Sequence, residues 1–270
     1  MTSPEQRRKA WDRFAAGYDQ AITPFSMQIA EDALERLAIE PGMRFLDVAA
    51  GGGALSIPAA RRGAEVLATD FSPVMIERLR ERAREEGLAN LEARVMDGQD
   101  LELDDDSFDV SGSQFGIMMF PDRQSGLEEL ARVTKPGGRA LMVVFGPVQA
   151  VEGFAYLFRA LQATVPTFTP PTDSPLFSLQ DRDQLRREMT AAGLRDVRVD
   201  TVNHGMEVES ATQHWELMTS AAPAIGALAA SLPEKKEAAA QDSLERILQE
   251  RPEGTPTTLN MQFHIGIGHK

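Results

Sequence analysis

The stretch LDVAAGGGALS at residues 46–56 constrains the fold of this chain more than any other. An apolar run ends in Asp47, then breaks into three consecutive glycines, Gly51, Gly52 and Gly53. Glycine costs roughly 1 kcal/mol against alanine in regular structure, so three together need a backbone reason. The usual reason is a tight strand-to-helix turn whose bare main chain lets a ligand lie close. In an open α/β sheet that ligand sits beyond the carboxyl ends of the strands, where this turn falls.

The first half of the chain supports such a sheet. Residues 5–38 read as two helices, and 44–50 as a short buried strand. Strand 64–70 precedes a helix at 72–87, with Ser72 as its N-cap, Pro73 in its first turn and Gly87 just past its end. Residues 91–98 and 108–115 read as strands, 123–134 as a helix, KPGG at 135–138 as a turn and 139–145 as a strand. That alternation implies parallel strands joined by crossovers. After Gly146 the rhythm changes. Residues 150–161 form an amphipathic helix, 164–175 a Pro- and Thr-rich loop, 179–192 a helix and 196–204 a strand. A helical excursion spans about 210–250. At the end Leu259, Met261, Phe263, Ile265 and Ile267 alternate with polar or small residues, which predicts an antiparallel strand added to the sheet. Residues 1–40 are thus expected to form a helical lid, 41–146 the ligand-binding core and 147–193 a cap insertion. The last two strands and their helical excursion fall in 194–270.

Composition narrows the partner. A formal charge of −13 argues against nucleic acid, whose phosphates demand a basic footprint. No apolar run is long enough for a membrane span, and the polar start does not read as a secretory signal. With no cysteine there is no thiolate metal site, and nothing resembles a metal triad. The expectation is a cytoplasmic protein with a small-molecule partner; its oligomeric state is not readable.

Three ligands compete for the glycine turn. A P-loop ends in Gly-Lys-Ser/Thr, and no lysine is present here. A nicotinamide site needs G-x-G-x-x-G/A, whereas Ser56 holds the last position and Asp47 would sit awkwardly beside a pyrophosphate. S-adenosylmethionine carries no phosphate and is cationic at both sulfur and amine, so an acid beside the loop helps it. Asp70, 19 residues after Gly51 at the end of the second strand, suits a pair of ribose hydroxyls. That position separates nucleoside binders from others without choosing between the two cofactors.

LDVAAGGG resembles the first motif, D-x-G-x-G-x-G, of class I S-adenosylmethionine-dependent methyltransferases, with Asp47, Ala49, Gly51 and Gly53 in its places. Ala49 departs from the first glycine. Further stretches match in order from about Trp11 to Phe145, and the closest flavour is the ubiquinone/menaquinone-biosynthesis-like small-molecule branch. The resemblance implies a doubly wound, Rossmann-like, seven-stranded and mostly parallel sheet with an antiparallel final strand and a helical cap. It also implies S-adenosylmethionine as cofactor and S-adenosylhomocysteine as product. On this resemblance Asp70 holds the ribose, and Phe71 and Met75 flank the adenine. Asp97 accepts from the adenine amine beside Gly98 and Gln99. Gln114 and Phe115 line the methionine end, and Tyr18, in WDRFAAGYD, closes the site.

Methyl transfer needs a base only when the acceptor is not already a good nucleophile. Several relatives carry histidine just before the PDR triplet, where this chain has Met118 and Met119. Those two thioethers imply an apolar acceptor pocket. His204 and His214 are the remaining candidates for a base, being predicted on the ligand side of the sheet. The expected reaction is in-line methyl transfer to an oxygen, nitrogen or carbon of a small, partly apolar acceptor. Two other readings stay open: the bound cofactor steering a cyclisation or elimination without methylation, and a nicotinamide-dependent oxidoreductase.

Overall fold

In the computed structural model, residues 3–170, 174–252 and 256–270 are described. Seven strands form one sheet: β1 (Arg44–Val48), β2 (Glu65–Asp70), β3 (Leu91–Val95), β4 (Phe108–Gln114), β5 (Thr134–Phe145), β6 (Arg195–Val208) and β7 (Thr257–His269), in the order β3-β2-β1-β4-β5-β7-β6. The first five run parallel, while β7 inserts antiparallel between β5 and β6. Strand order reverses between β1 and β4, which opens a crevice beyond Val48 and Gln114. This is the expected architecture. Its centre is dry because β1 is buried from Phe45 onward and Val110, Leu141 and Val143 are fully buried beside it.

Helices α1 (Pro4–Ala21) and α2 (Thr23–Leu37) precede the sheet. Ser3 and Gln6 close a capping box on α1, and α2 buries Ile29, Ala30, Ala33, Leu34 and Leu37 along one face. The crossovers are α3 (Ser56–Arg61), α4 (Pro73–Glu85) and α5 (Arg123–Val133). Ser72 caps α4 by accepting from the Met75 N–H, as its sequence predicts. Then come α6 (Glu152–Thr164), α7 (Arg182–Ala191), α8 (Ala211–Thr219), α9 (Pro223–Ala230) and α10 (Glu234–Gln249). Of these, α6, α8 and α10 pack on one another, and α6 also rests on β7.

Local readings differ in four places. KPGG, expected as a turn between helix and strand, lies inside β5. Thr134 pairs with Phe108 and Arg139 with Val110, so residues 135–138 bulge from β5 opposite Asp109, with Gly137 at φ +79°. The helix expected at 179–192 starts at Arg182, because Asp181 caps it by accepting from the Gln184 N–H. Strand 196–204 runs on to Val208 as the full-length partner of β7. The loop expected at 164–175 is entered by the last residue of α6 and left by a 3-10 turn at Pro175–Phe177, while its residues 171–173 lie outside the described residues. No described helix is long and apolar enough to cross a membrane.

Candidate functional site

The glycine turn leaves β1 through two left-handed residues, Ala49 at φ +58° and Gly51 at φ +54°. An L-residue there is strained by roughly 1–2 kcal/mol. Ala49 fits because its neighbour has no side chain: a Cβ on Gly116 would lie 2.5 Å from the Ala49 Cβ. Above Gly51 the space is open, with nothing within 4 Å of where a Cβ would project. Gly52 is covered instead by Asp19 of α1, whose carboxylate would clash with any Cβ. Gly53 packs under the loop against Leu79 and Ile57 and does not line the cleft.

Two buried carboxylates hold this turn. Asp47 accepts from the Ser56 hydroxyl at 2.5 Å, and burial raises its pKa from 3.8 to about 7. Asp70 accepts the Gly51 N–H at 2.9 Å and the Ser72 N–H at 2.8 Å. Burial outweighs both bonds and raises its pKa to about 6. Each carboxylate oxygen has a second lone pair, so Asp70 can still accept two hydroxyls. Asp97 takes the Gln99 main-chain and side-chain N–H groups on one oxygen, at 2.9 and 3.1 Å.

The turn, these acids, Phe71, Met75, Gly98, Gln99, Gln114 and Phe115 surround a cleft of about 1110 Å³ of empty space, part of it open to solvent. Helix α1 roofs it with Arg7, Trp11 and Tyr18. Tyr18 meets Trp11 edge to face at 5.6 Å, and burial with the nearby Asp70 charge pushes its phenol up to about 12. It therefore remains a neutral donor at pH 7. The roof is latched to the turn: Arg82 bonds both the Gly52 carbonyl and Asp19, the latter at 2.9 Å, and Ser72 Oγ donates to Asp12 at 2.6 Å. At the far end, Thr23 Oγ1, Ser26 Oγ and Gln114 Oε1 are buried without a partner in good hydrogen-bond geometry, although the Ser26 hydroxyl faces the Tyr18 phenol. Unpaired buried polar atoms are costly, and here three line one cleft, a donor-acceptor set suited to an amino-acid tail.

A second space of about 520 Å³ opens beside the cleft and shares Trp11, Tyr18, Ser26, Phe115 and Met119 with it. Phe115, itself left-handed at φ +59°, stacks on Phe145 at 4.6 Å and stands between the two. The rest of this chamber is Phe25, Phe154, Phe263, Met206, Met218, Met261 and aliphatic side chains. No charged side chain lines it among the described residues.

Of the expected acceptor residues, Met119 lines both spaces. Met118 does not: it is buried in the core, because the 3-10 turn Ile117–Met119 rolls it away from the cleft. Neither candidate histidine lines either space. His204 lies on edge strand β6 and faces Asp32 of α2 at 3.3 Å. His214 is fully buried with Nε2 2.8 Å from the Gly153 carbonyl, and burial lowers its pKa to about 4. Thr23, Ser26 and the Asp12, Asp19 and Arg82 latch escaped the sequence reading. They lie on helices whose pattern signals only amphipathicity. Among the described residues no group of His, Asp or Glu is arranged to hold a metal ion.

A doubly wound sheet with an acid-flanked glycine turn, a strand-end carboxylate at Asp70 and no lysine on the turn is the arrangement of a nucleoside-binding α/β protein. Residues 46–142 match the family described as a methyltransferase domain. A demethylmenaquinone methyltransferase of Clavibacter sepedonicus is 33% identical over 219 residues, covering 75% of this chain and 88% of that one. An uncharacterised protein of Mycobacterium tuberculosis is 39% identical over 138 residues, which cover 51% of this chain and about half (47%) of that relative's length. Among solved structures, a phosphoethanolamine N-methyltransferase of Haemonchus contortus in complex with S-adenosylhomocysteine shares the fold, with TM-score 0.64 at 18% identity over 100% of this chain and 61% of that one. The chain belongs to the class I S-adenosylmethionine-dependent methyltransferases of the ubiquinone/menaquinone type.

Proposed function

We propose that this chain transfers a methyl group from S-adenosylmethionine to a small, uncharged, largely apolar acceptor bound in the second chamber. The observation that carries the reading is the chamber itself, an uncharged aromatic and thioether space that meets the cleft at Tyr18, Ser26 and Phe115. A demethylmenaquinone-like acceptor belongs to that class. The cleft residues fit the cofactor in kind. Asp70 takes the ribose hydroxyls, Phe71 and Met75 flank the adenine, and Asp97, Gly98 and Gln99 face its edge. The main chain from Ala49 to Gly52 lies along the sugar and sulfur. Thr23, Ser26 and Gln114, whose buried oxygens lack well-placed partners, take the methionine end with Tyr18.

When bound, the cofactor supplies a methyl carbon made electrophilic by its cationic sulfur. The chain contributes position, dryness and charge. Asp47 and Asp70 favour a cation near the turn, and Trp11 and Tyr18 exclude water. Tyr18, with its raised pKa, donates a hydrogen bond and takes no proton. Among the described residues no imidazole lines the chamber, so the acceptor brings its own nucleophilicity, as a phenol, enol or amine does.

The test is incubation with methyl-labelled S-adenosylmethionine and a panel of neutral phenols and amines beside their carboxylated analogues. Label is expected in products of neutral acceptors and absent from the carboxylated ones. Label in neither, with an acceptor rearranged instead, would replace this reading by the non-methylating one.

A further inference from the structure

We infer that Gly153 sets the depth of the chamber, and with it the length of apolar acceptor that the chain takes; the inference rests on reading the chamber as the acceptor site. Gly153 is the second residue of α6 and is buried. Its φ is not positive, so nothing in the backbone calls for glycine, and alanine would favour the helix. The reason lies in what faces it. A Cβ there would stand 2.6 Å from Met218 Sδ and 3.1 Å from Met261 Sδ, and both thioethers line the chamber.

The backbone at Gly153 is pinned and cannot retreat from such a Cβ. His214 Nε2 sits 2.8 Å from its carbonyl. The preceding Val151 bridges to Met261 on β7. Glu152 accepts the Asn260 N–H at 2.7 Å and pairs with Arg251 at 2.9 Å. With α6 tied to β7 on one side and to α8 on the other, the methionine ends are what must move. Methionine side chains move easily, and the empty space open to these two is the chamber. Glycine at 153 therefore holds the thioethers back, and a single methyl group there pushes them into the acceptor's path. His214, the buried imidazole that reaches neither space, acquires a role as the peg that fixes this wall.

The experiment measures binding of neutral 4-alkylphenols of increasing chain length to the whole protein saturated with S-adenosylhomocysteine. For the wild type, affinity should rise about fourfold per added methylene until the chamber is full. In Gly153→Ala the plateau should arrive about two methylenes earlier, so the longest ligands bind roughly fifteenfold more weakly. Phenol itself and S-adenosylhomocysteine should bind within twofold of wild type. Met218→Ala should move the plateau to longer chains, and the double variant should return it toward the wild-type length. If the wild type binds no alkylphenol, the reading of the chamber as an acceptor site fails, and this inference with it. A wild type that shows the plateau, with the plateau unmoved in folded Gly153→Ala and in Met218→Ala, overturns the inference alone.

Discussion

The glycine-turn cleft and the second chamber share five residues but are built from different material. At the glycine turn the cleft is main chain and carboxylate, held by short hydrogen bonds from Ser56, Ser72 and Gly51 to two buried acids, while side chains such as Trp11, Phe71 and Met75 form its other walls. The chamber is side chain, with rings of Phe25, Phe115, Phe145, Phe154 and Phe263 in mutual contact and methionines filling the gaps. A site made of main chain changes only if the fold changes. A site made of side chains changes with single substitutions. The difference teaches that single substitutions should reshape the chamber more readily than the turn.

Substitutions can break the two regions separately. The largest effect belongs to the chamber. Phe263 is fully buried and touches Phe25, Phe115 and Phe145, so Phe263→Ala should lower stability by about 3–5 kcal/mol. Denaturant melts in the presence and absence of S-adenosylhomocysteine measure it, and a loss under 1 kcal/mol would mean that the aromatic wall is not a packed unit. Next is the cleft. Asp70→Ala removes the acceptor assigned to the ribose, and with charged-group hydrogen bonds of about 1.5–3 kcal/mol, affinity for S-adenosylhomocysteine should fall roughly a hundredfold. Calorimetry should find a much smaller change in phenol binding to the chamber. Unchanged cofactor affinity would displace the ribose from this carboxylate.

The latch ranks third. Asp19 is almost buried between Arg82 and Arg78, over Gly52. Asp19→Ala should speed S-adenosylhomocysteine release about tenfold, since breaking a partly buried pair destabilises the closed roof. In stopped-flow, added salt should accelerate release from the wild type and not from the variant.

The fourth effect is read in pH. Asp47 and Asp70 titrate at about 7 and about 6 in the folded chain, above the ordinary 3.8, so the folded state holds their protons more tightly than the unfolded state does. Their contribution therefore favours the fold at low pH and is lost as pH rises from about 4 to about 7. His214, lowered to about 4, works the other way, and its contribution is lost as pH falls from about 6.5 toward 4. Asp47→Asn should raise the melting temperature of the cofactor-free protein at pH 8 and make little difference at pH 5. An equal effect at both values would mean that Asp47 is ionised throughout.

The same contrast explains what the sequence disclosed. The cleft was legible because LDVAAGGG and the strand-end Asp70 point to a nucleoside, and the resemblance to a methyltransferase family then implied Asp97 and Gln114. Strand alternation at Leu259–Ile267 likewise announced β7 and its antiparallel sense. The chamber was not legible. Its residues come from α1, α2, the segment after β4, β5, α6, β6, α8 and β7, and most carry only the apolar periodicity that any core residue shows. Met118 was misplaced relative to Met119 because a 3-10 turn decides which of two adjacent thioethers faces the ligand. The histidines looked available because topology gives the end of the sheet on which a residue lies but not the partner that occupies its ring. Their partners, Asp32 and the Gly153 carbonyl, are 172 and 61 residues away in sequence.

The most direct measurement is a crystal structure of the protein with S-adenosylhomocysteine and a neutral alkylphenol bound together. The ribose should lie within hydrogen-bonding distance of Asp70, the thioether sulfur should point past Tyr18, and the phenol should sit between Phe145, Met261 and Phe263. Density for the nucleoside away from the turn at Ala49–Gly52, or for the phenol outside the Phe145–Phe263 space, would contradict that arrangement.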